Sequence, residues 1–333
     1  MKFVAFSAAL MVVLGGLAVQ AESRVLSLPE IPEPVTSFGA AVEGDTLYVY
    51  GGHMGTAHSY SIEDQSNGLF ALSLNNPTEW KALPTGPRLQ GLAMVAHNGS
   101  LYRLGGFSAV NEETEEQNLV STAECARFDL KSNSWEPLPS LPEPRSSFDA
   151  VVYNNKIYVM GGWAMYDKKE DKESHWHETA WVMDLDQQPL EWKAMPTPTF
   201  KKRALAVAAL DGKIYAIGGM KDEGGPTRDV SVFDIETQTW SEAPALPGDK
   251  GMEGFGSSAF AVAGDLYCST ISGALYQLNA DGSEWAKIQD LPNKRFFHRM
   301  VPYQDNSLLF LGGASMEDGK VLAVDHVLVP SQK

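Results

Sequence analysis

Residues 47–52 read Leu-Tyr-Val-Tyr-Gly-Gly, and this pattern of a short apolar strand followed by two glycines decides the fold because it recurs. Its further copies are Leu101-Tyr102-Arg103-Leu104-Gly105-Gly106, Ile157-Tyr158-Val159-Met160-Gly161-Gly162, Ile214-Tyr215-Ala216-Ile217-Gly218-Gly219 and Leu308-Leu309-Phe310-Leu311-Gly312-Gly313. A degenerate copy, Leu266-Tyr267-Cys268, runs into Ser269-Thr270 in place of the glycines. Recurrence at a spacing of about 50 residues indicates an array of similar structural units.

The second half of each unit carries a tryptophan followed shortly by a proline. These pairs are Trp80 with Pro84, Trp135 with Pro139, Trp192 with Pro196, Trp240 with Pro244 and Trp285 with Pro292. We predict that the glycines allow positive φ and close backbone approach, and that the repeated tyrosines and tryptophans fill the space between neighbouring sheets. An aromatic residue required in every unit is required for packing, so we interpret both sets as core.

The units predict an all-β, six-bladed β-propeller over residues 22–333, with four short antiparallel strands in each blade. The last unit has too few residues for a fourth strand, whereas Arg24 to Pro29 precedes the first unit and ends in Leu-Pro. We therefore expect the N-terminal segment to supply the outer strand of the sixth blade and to close the ring. The pattern resembles Kelch-repeat propellers over essentially all of the chain after residue 21.

The first 21 residues have the features of a secretory signal peptide. Lys2 precedes an apolar run, and Val19-Gln20-Ala21 presents small residues for cleavage. We expect a secreted or periplasmic protein without membrane insertion after cleavage, because no second apolar stretch approaches spanning length. The formal net charge of -16 argues against a nucleic-acid partner, since such binding depends on Lys and Arg neutralising phosphates. Nothing in the sequence predicts a cofactor.

The chain has two cysteines, Cys125 and Cys268. The repeat places them in blades 2 and 5, on opposite sides of a six-bladed ring. A disulfide requires Cα atoms within about 7 Å, so we predict two unpaired thiols that pack as small hydrophobic groups.

Kelch propellers usually meet their ligands at one mouth of the central channel, so the resemblance implies a candidate site at the loops after the glycine pairs and at the starts of the innermost strands. By this resemblance the innermost strands begin at Val35, Arg88, Arg145, Arg203, Glu253 and Arg295. The arginines there suit either structural hydrogen bonds or a carboxylate or phosphate ligand. The candidate ligand-binding residues are His53, Arg88, Gln90, Arg145, Ser147, Trp163, Arg203, Arg295, Phe297 and His298. Aromatic faces beside hydrogen-bonding groups suit a carbohydrate or peptide ligand.

The loop Ser174-His175-Trp176-His177-Glu178 holds two histidines at positions i and i+2. In an extended segment both point to the same side, so both are candidates to reach one metal ion. A third ligand is then needed, for which His53 and His58 are the candidates. The alternative interpretation is an exposed polar loop, and we predict no metal.

Two classes of function stay open. The absence of a recognisable catalytic motif favours a binding module for a protein or carbohydrate. The alternative is a carbohydrate-active enzyme, because Leu28-Pro29-Glu30-Ile31-Pro32, Asp45 to Val49 and Pro226 to Asp229 resemble segments of the bacterial N-acetylneuraminate epimerases, which are sugar mutarotases. That resemblance implies an active-site role for Arg228, with Glu223 as the nearest acid because Met220 follows the glycine pair. A copper oxidase related to galactose oxidase is the least favoured, since both cysteines fall in repeat strands.

Overall fold

The computed structural model describes residues 25–304 and 306–330. The predicted signal peptide, residues 1–21, lies outside them. The described chain is all-β, and its helical segments are two short 3₁₀ helices at Lys168–Glu170 and Gly251–Gly254. Within the described residues, no helix has the length and apolar character needed to cross a membrane.

Six antiparallel sheets, one for each repeat unit, form the six predicted blades. Blades 1 to 3 contain β1 (Gly39–Glu43), β2 (Thr46–Tyr50), β3 (Leu69–Ser73) and β4 (Trp80–Leu83); β5 (Ala93–His97), β6 (Ser100–Leu104), β9 (Cys125–Asp129) and β10 (Ser134–Leu138); and β11 (Asp149–Tyr153), β12 (Lys156–Met160), β15 (Ala180–Asp184) and β16 (Trp192–Ala194). Blades 4 to 6 contain β18 (Ala206–Leu210), β19 (Lys213–Ile217), β22 (Val230–Asp234) and β23 (Thr239–Ala243); β24 (Ser258–Val262), β25 (Asp265–Ser269), β26 (Ala274–Leu278) and β27 (Trp285–Asp290); and β28 (Arg299–Tyr303), β29 (Ser307–Leu311) and β32 (Val324–Leu328).

Several blades have short additional strands. Most of these lie in the loops that follow a second strand, and one lies in the segment that leads into the first strand of blade 4. They are β7 (Phe107–Ala109) with β8 (Leu119–Ser121), β13 (Trp163–Ala164) with β14 (His175–Trp176), β17 (Lys202–Arg203) with β20 (Met220–Lys221) and β21 (Gly225–Pro226), and β30 (Ala314–Ser315) with β31 (Gly319–Lys320). All of them lie on the face of the ring where the glycine pairs end their strands, so this face carries the long loops.

The first strand of each blade faces the central channel, and these inner strands contact one another around the ring, with β28 closing onto β1. The hydrophobic clusters lie between neighbouring blades. One joins Leu47 of blade 1 to Leu309 of blade 6, and another joins Tyr50 of blade 1 to Leu101 of blade 2. Each blade is therefore stabilised mainly by burying apolar surface against its neighbours.

The repeated tryptophans join successive blades as predicted. In four of them the indole Nε1–H donates a hydrogen bond of 2.8–3.0 Å to the proline carbonyl that ends the previous blade: Trp135 to Pro84, Trp192 to Pro139, Trp240 to Pro196 and Trp285 to Pro244. Trp80 of blade 1 has no acceptor for its Nε1 among the described residues. These four tryptophans thus tie together the outer edges of blades 1 to 5.

The glycine pairs make a second connection. Gly51 and Gly52 have φ of 64° and 108°, and a Cβ on Gly51 would lie 2.6 Å from the carbonyl oxygen of Leu89 in blade 2. The Gly52 N–H donates to that carbonyl at 2.8 Å. Only a residue without a side chain tolerates both the conformation and the approach.

A closed circle of backbone hydrogen bonds surrounds the channel just before the inner strands begin. Its six members all have positive φ, between 50° and 62°: Ser37, Gly91, Ser147, Ala204, Gly256 and Phe297. Each N–H donates to the carbonyl of the member in the preceding blade, at 2.7–3.2 Å, and Ser37 completes the circle by donating to Phe297. We call these residues the backbone circle.

The predicted closing strand is not assigned in the structure. Blade 6 has three strands, and residues 25–30 form none. The segment still lies against that blade, because the Leu26 N–H donates to Nδ1 of His326 at 2.8 Å and the Ile31 N–H donates to the Leu322 carbonyl at 2.9 Å. Closure of the ring by an N-terminal strand therefore stays a prediction.

The prediction for the cysteines is confirmed. Cys125 lies in β9 of blade 2 and Cys268 in β25 of blade 5, and both are buried and unpaired. Burial raises the pKa of the Cys125 thiol to about 11 and that of Cys268 to about 12, so neither is a reactive thiolate near neutral pH.

The N-terminal segment should contribute to stability through Ile31, which is 1% exposed. Ile31→Ala is expected to lower the free energy of unfolding by about 2–5 kcal/mol, measured by urea denaturation. The matched control Val25→Ala, at a position 57% exposed, should change it by no more than about 0.5 kcal/mol. Deletion of residues 22–34 should lower the melting temperature further; an unchanged melting temperature would refute the closing role of this segment.

Candidate functional site

The mouth of the channel on the loop-bearing face is built in two layers. The backbone circle forms the floor. Directly outside it, the residue before each circle member pairs with the residue after a glycine pair: Thr36 with His53, Gln90 with Phe107, Ser146 with Trp163, Arg203 with Met220 and Phe296 with Ala314. Blade 5, which lacks the glycines, forms no such pair among the described residues; its Phe255 contacts Phe297 instead, with 4.9 Å between ring centroids.

The predicted starts of the innermost strands were wrong by a few residues. These strands begin at Gly39, Ala93, Asp149, Ala206, Ser258 and Arg299. The four predicted arginines therefore lie in the segments that lead into the strands, and they are not equivalent to one another. Arg145 and Arg295 each lie two residues before the backbone-circle member of their blade. Lys202 occupies the same position in blade 4.

Arg145 and Arg295 are structural. Both are fully buried, and each guanidinium donates to backbone carbonyls of its own blade: Arg145 to Gly161 and Thr179, Arg295 to Gly312 and Ala323. Arg295 also forms an ion pair with Asp325. In blade 4 the Lys202 ammonium makes the corresponding bonds to the carbonyls of Ala216 and Asp229, each at 3.1 Å. The structure therefore leaves neither arginine available to a ligand.

Arg88 and Arg203 differ from this buried set. Arg88 donates to the carbonyls of Gln65 and Ile62 in the blade 1 loop. The guanidinium of Arg203 lies over two indoles, 4.5 Å from the ring centroid of Trp163 and 5.0 Å from that of Trp176. Burial lowers the pKa of Arg203, and the two aromatic faces compensate part of its lost hydration.

One surface at the mouth, which we call the mouth patch, consists of Tyr60, Phe107, Trp163, Trp176 and Arg203. Phe107 is buried and the other four residues are half-buried. Tyr60 reaches it from the blade 1 loop, with its ring centroid 6.2 Å from that of Phe107. Burial raises the pKa of Tyr60, and the charge of Arg203 on the opposite blade acts against this rise. Trp163 and Trp176 face each other across the β13–β14 hairpin, 5.9 Å apart.

His53 is held inside the blade 1 loop rather than presented at the mouth. It is 5% exposed, its Nε2 bonds the Ser59 carbonyl at 2.7 Å, and its ring packs on Tyr60 at 4.8 Å. Its Nδ1 lies 3.3 Å from the Lys320 ammonium, which also donates to the His53 carbonyl and the Thr36 hydroxyl. Burial, followed by the charge of Lys320, lowers the pKa of His53.

The remaining candidates are also committed to the scaffold. Gln90 is 1% exposed, and its amide faces that of Gln65 at 3.4 Å. Ser147 and Phe297 belong to the backbone circle. His298, directly after the circle, bonds the Ser269 hydroxyl through Nε2 at 2.7 Å. The structure therefore brings Trp163 and Arg203 together as candidates, and it adds Tyr60 and Trp176, which the repeat could not reveal because they lie in loops of unequal length.

In blade 5, which lacks the glycine pair, a contact between His298 and Ser269 replaces the packing seen at the glycine pairs of other blades. In four of the five glycine pairs the first glycine lies against an apolar side chain of the next blade, as Gly105 lies against Phe148. In blade 5 the Ser269 hydroxyl donates to the Ser258 carbonyl at 3.2 Å and therefore accepts from the His298 Nε2–H. A buried hydrogen bond thus substitutes for the missing glycine.

Beneath the circle, a side-chain bridge crosses the channel between opposite blades. Arg299 of blade 6 pairs with Asp149 of blade 3, Nη1 to Oδ1, at 2.8 Å. The same guanidinium donates to the carbonyls of Phe38 and Leu92, and Asp149 accepts from the Val207 N–H. Arg299 borders both a ≈ 50 Å³ hollow at the mouth and a ≈ 250 Å³ channel cavity below, so the bridge separates the two.

The two residues implied by the epimerase resemblance do not meet. Arg228 donates through Nη1 to the Leu246 carbonyl at 2.8 Å, in the connection between blades 4 and 5. Glu223 is exposed and lines a groove of ≈ 710 Å³ with Lys221 and Asp229, which Arg228 does not border. The structure therefore does not assemble a catalytic pair from these residues.

The two loop histidines do come together, and with a ligand that we did not predict. Glu143, His175 and His177 place one ligand atom each within 4.8 Å of one another. The suggested third ligands, His53 and His58, do not belong to this group: His53 is hydrogen-bonded to Ser59 and Lys320, and His58 is exposed on the blade 1 loop. Glu143 lies in the connection between blades 2 and 3, so no local motif indicated it.

Comparison with known proteins gives a consistent family. A family model described as the KLHDC2/KLHL20/DRC7 Kelch-repeats domain matches residues 17–200 and 87–273. Kelch-like protein 35 of Mus musculus is 24% identical over 225 residues, which are 67% of this chain and 33% of that protein. Kelch repeat and BTB domain-containing protein 8 of Homo sapiens is 22% identical over 290 residues, 81% of this chain and 44% of that protein. The chain thus spans less than half the length of these relatives.

Another relative matches from end to end. The N-acetylneuraminate epimerase of Pasteurella multocida is 26% identical over 386 residues, covering 97% of this chain and 96% of that protein. The solved structure of YjhT superimposes with a TM-score of 0.73 at 19% identity, covering 92% of this chain and 98% of that one, which agrees with the fold described above.

The buried histidine behind the mouth predicts an acid-sensitive fold. Burial, followed by the charges of Arg295 and Arg299, lowers the pKa of His298 well below 6.5. The unfolded chain therefore takes up a proton below about pH 6.5 while the folded chain does not, so the stabilisation is complete above that pH and is lost as the pH falls. His298 alone is expected to lower the free energy of unfolding by at most about 1.4 kcal/mol for each pH unit below that value.

Urea denaturation between pH 7 and pH 4 measures this loss. His298→Gln keeps a donor for Ser269 but does not titrate, so its stability should fall less with acid than that of the wild type. The control His58→Gln, at an exposed histidine, should follow the wild type. Equal slopes for wild type and His298→Gln would contradict the assignment.

Proposed function

Since this chain belongs to the Kelch-repeat family of β-propellers, we propose that it is an exported binding module that recognises a protein ligand at the mouth patch. Propellers of this family commonly serve as protein-binding modules. The expectation of export comes from residues 1–21, and the net charge of -16 makes a nucleic-acid ligand unfavourable.

The observation that carries the proposal is the state of Arg203. Its guanidinium is held in place by Trp163 and Trp176, yet the only acceptor it meets among the described residues is the Met220 sulfur, at 3.3 Å. A thioether is a weak acceptor. Arg203 is therefore positioned but largely unpaired, unlike the buried Arg145 and Arg295.

The chemistry of the patch defines the ligand. An arginine fork binds a carboxylate in a bidentate manner, and tryptophan, tyrosine and arginine are the residue types that contribute most to protein–protein affinity. We therefore expect a peptide segment that places a carboxylate against Arg203 and an apolar side chain against Trp163 or Trp176.

The depth of the mouth favours a surface contact over an enclosed small molecule. The hollow above the backbone circle measures ≈ 50 Å³, whereas pockets that enclose a drug-sized ligand hold about 300–1,000 Å³. The ≈ 250 Å³ cavity below lies behind the bridge of Arg299 and Asp149. A protein loop can contact such a shallow mouth without entering the channel.

A sugar mutarotase is the second candidate, because the N-acetylneuraminate epimerase of Pasteurella multocida and this chain cover almost all of each other. Ring opening and closure require a general acid and base. Burial lowers the pKa of the Lys320 ammonium to about 8, but this group donates to Thr36 and to two atoms of His53. With its donors occupied and with Arg228 and Glu223 apart, this alternative has less geometric support.

Selection from a random peptide phage library tests the binding function. Peptides that bind the wild-type ring should be enriched in acidic residues, and their Kd, measured by calorimetry, should rise by about 30-fold or more in Arg203→Ala and Trp176→Ala, as at a hot spot. Arg228→Ala is the matched control, since it removes a half-buried arginine away from the patch, and it should bind normally. Selected peptides that bind Arg203→Ala as tightly as wild type would overturn the assignment.

Ligand-observed NMR tests the alternative on the same protein. A monosaccharide panel that includes N-acetylneuraminate reports binding by saturation transfer and mutarotation by exchange between anomer signals. We expect no acceleration of exchange. Accelerated exchange that disappears in Arg228→Ala would establish the enzyme in place of the binding module.

A further inference from the structure

A cluster of one carboxylate and two imidazoles lies on the rim of blade 3, outside the mouth patch. His177 Nδ1 is 3.3 Å from Glu143 Oε2, and His175 Nε2 is 3.9 Å from the other carboxylate oxygen, Oε1. The two imidazole rings meet edge to face, with 4.8 Å between their centroids. Three donor atoms from two separate segments of the chain therefore converge on one point.

The hydrogen bonds of the histidines fix which nitrogen faces that point. Nε2 of His177 lies 2.9 Å from the Pro144 carbonyl, and a carbonyl only accepts, so the proton of a neutral ring sits on Nε2. Nδ1 of His175 lies 3.3 Å from the Tyr166 hydroxyl. Each ring thus directs its other nitrogen to Glu143, with its outer nitrogen held by a backbone carbonyl or a hydroxyl, as is usual for metal-binding histidines.

An unprotonated nitrogen and a carboxylate face each other in this cluster. With the proton of His177 on Nε2, the lone pair of Nδ1 faces a carboxylate oxygen at 3.3 Å. One cation placed between the three atoms satisfies all of them.

We propose that Glu143, His175 and His177 bind a divalent transition-metal ion of the zinc type. Two imidazoles and one carboxylate are a zinc ligand set that leaves a fourth position for water, whereas Mg²⁺ and Ca²⁺ select oxygen ligands. The side chains of Glu143 and His175 are 40% and 44% exposed, so the fourth position faces solvent. The site stands independently of the proposed ligand at the mouth.

The site also has a structural consequence. His175 and Trp176 form β14, which pairs with Trp163 and Ala164, and alternation places Trp176 on the side opposite His175 and His177. That side faces Trp163 and Arg203. A metal that joins β14 to Glu143 therefore holds the hairpin that carries Trp163 and Trp176, two of the five residues of the mouth patch.

Calorimetric titration with ZnCl₂ tests the site on untagged protein that has been treated with a chelator and then dialysed. Wild type should bind one Zn²⁺ per chain, and MgCl₂ should produce no saturable heat. His175→Ala and Glu143→Gln should each weaken binding by about 100-fold, and Tyr166→Phe, which removes the partner of His175, by about 10-fold. His58→Ala, at an exposed histidine of another loop, should bind as the wild type does.

The variants at His175 and Glu143 carry the test because both side chains are partly exposed, whereas His177 is 2% exposed and its replacement endangers the fold. Absence of saturable Zn²⁺ binding by wild type would overturn the proposal. So would equal Zn²⁺ affinity in wild type, His175→Ala and Glu143→Gln, since the ion would then bind elsewhere. Peptide binding at Arg203 is a separate measurement on the same protein, so the two proposals fail separately.

Discussion

A closed circle of backbone hydrogen bonds fixes the mouth of this propeller, and both candidate sites depend on it. Each N–H donates to the preceding blade, and Ser37 joins blade 1 to Phe297 of blade 6. Since main-chain atoms make every bond, the side chains are free to differ, provided each residue accepts positive φ. The circle fixes the point along the channel axis at which each inner strand begins. It thereby fixes the positions of the loops at the mouth.

Two further connections maintain this geometry. Tryptophans tie the outer edges of successive blades, as Trp135 does to Pro84, and Arg299 crosses beneath the circle to Asp149. The result is a rigid floor that carries loops of unequal length, the arrangement in which proteins commonly place recognition surfaces. Most polar side chains near the floor are hydrogen-bonded to one another or to the backbone. The Arg203 guanidinium instead lies over two indoles, and its acceptor among the described residues is the Met220 sulfur. This contrast separates the mouth patch from the scaffold around it.

Features that recur in every blade could be predicted from the sequence, whereas features found in one or two blades could not. Glycine pairs and tryptophans recur at a regular spacing, so the number of blades and the two buried cysteines could be predicted. The roles of the arginines could not be predicted, because Lys202 replaces the repeated arginine in blade 4. Arg203, the next residue, lies over two indoles instead. The circle is invisible to residue patterns, since its members include Ser147, Ala204 and Gly256 and act through their backbones. Glu143 reaches the loop histidines only once blades 2 and 3 pack together.

Amide hydrogen exchange at the six circle positions tests the central claim most directly. Measured by NMR on the folded protein, the N–H groups of Ser37, Gly91, Ser147, Ala204, Gly256 and Phe297 should exchange only through global unfolding, with protection equal to that of the inner strands. A loop-tip amide such as that of Glu113 should exchange at a rate close to that of an unprotected chain. Fast exchange at any circle position, while the inner strands stay protected, would show that the mouth opens locally and would contradict the account.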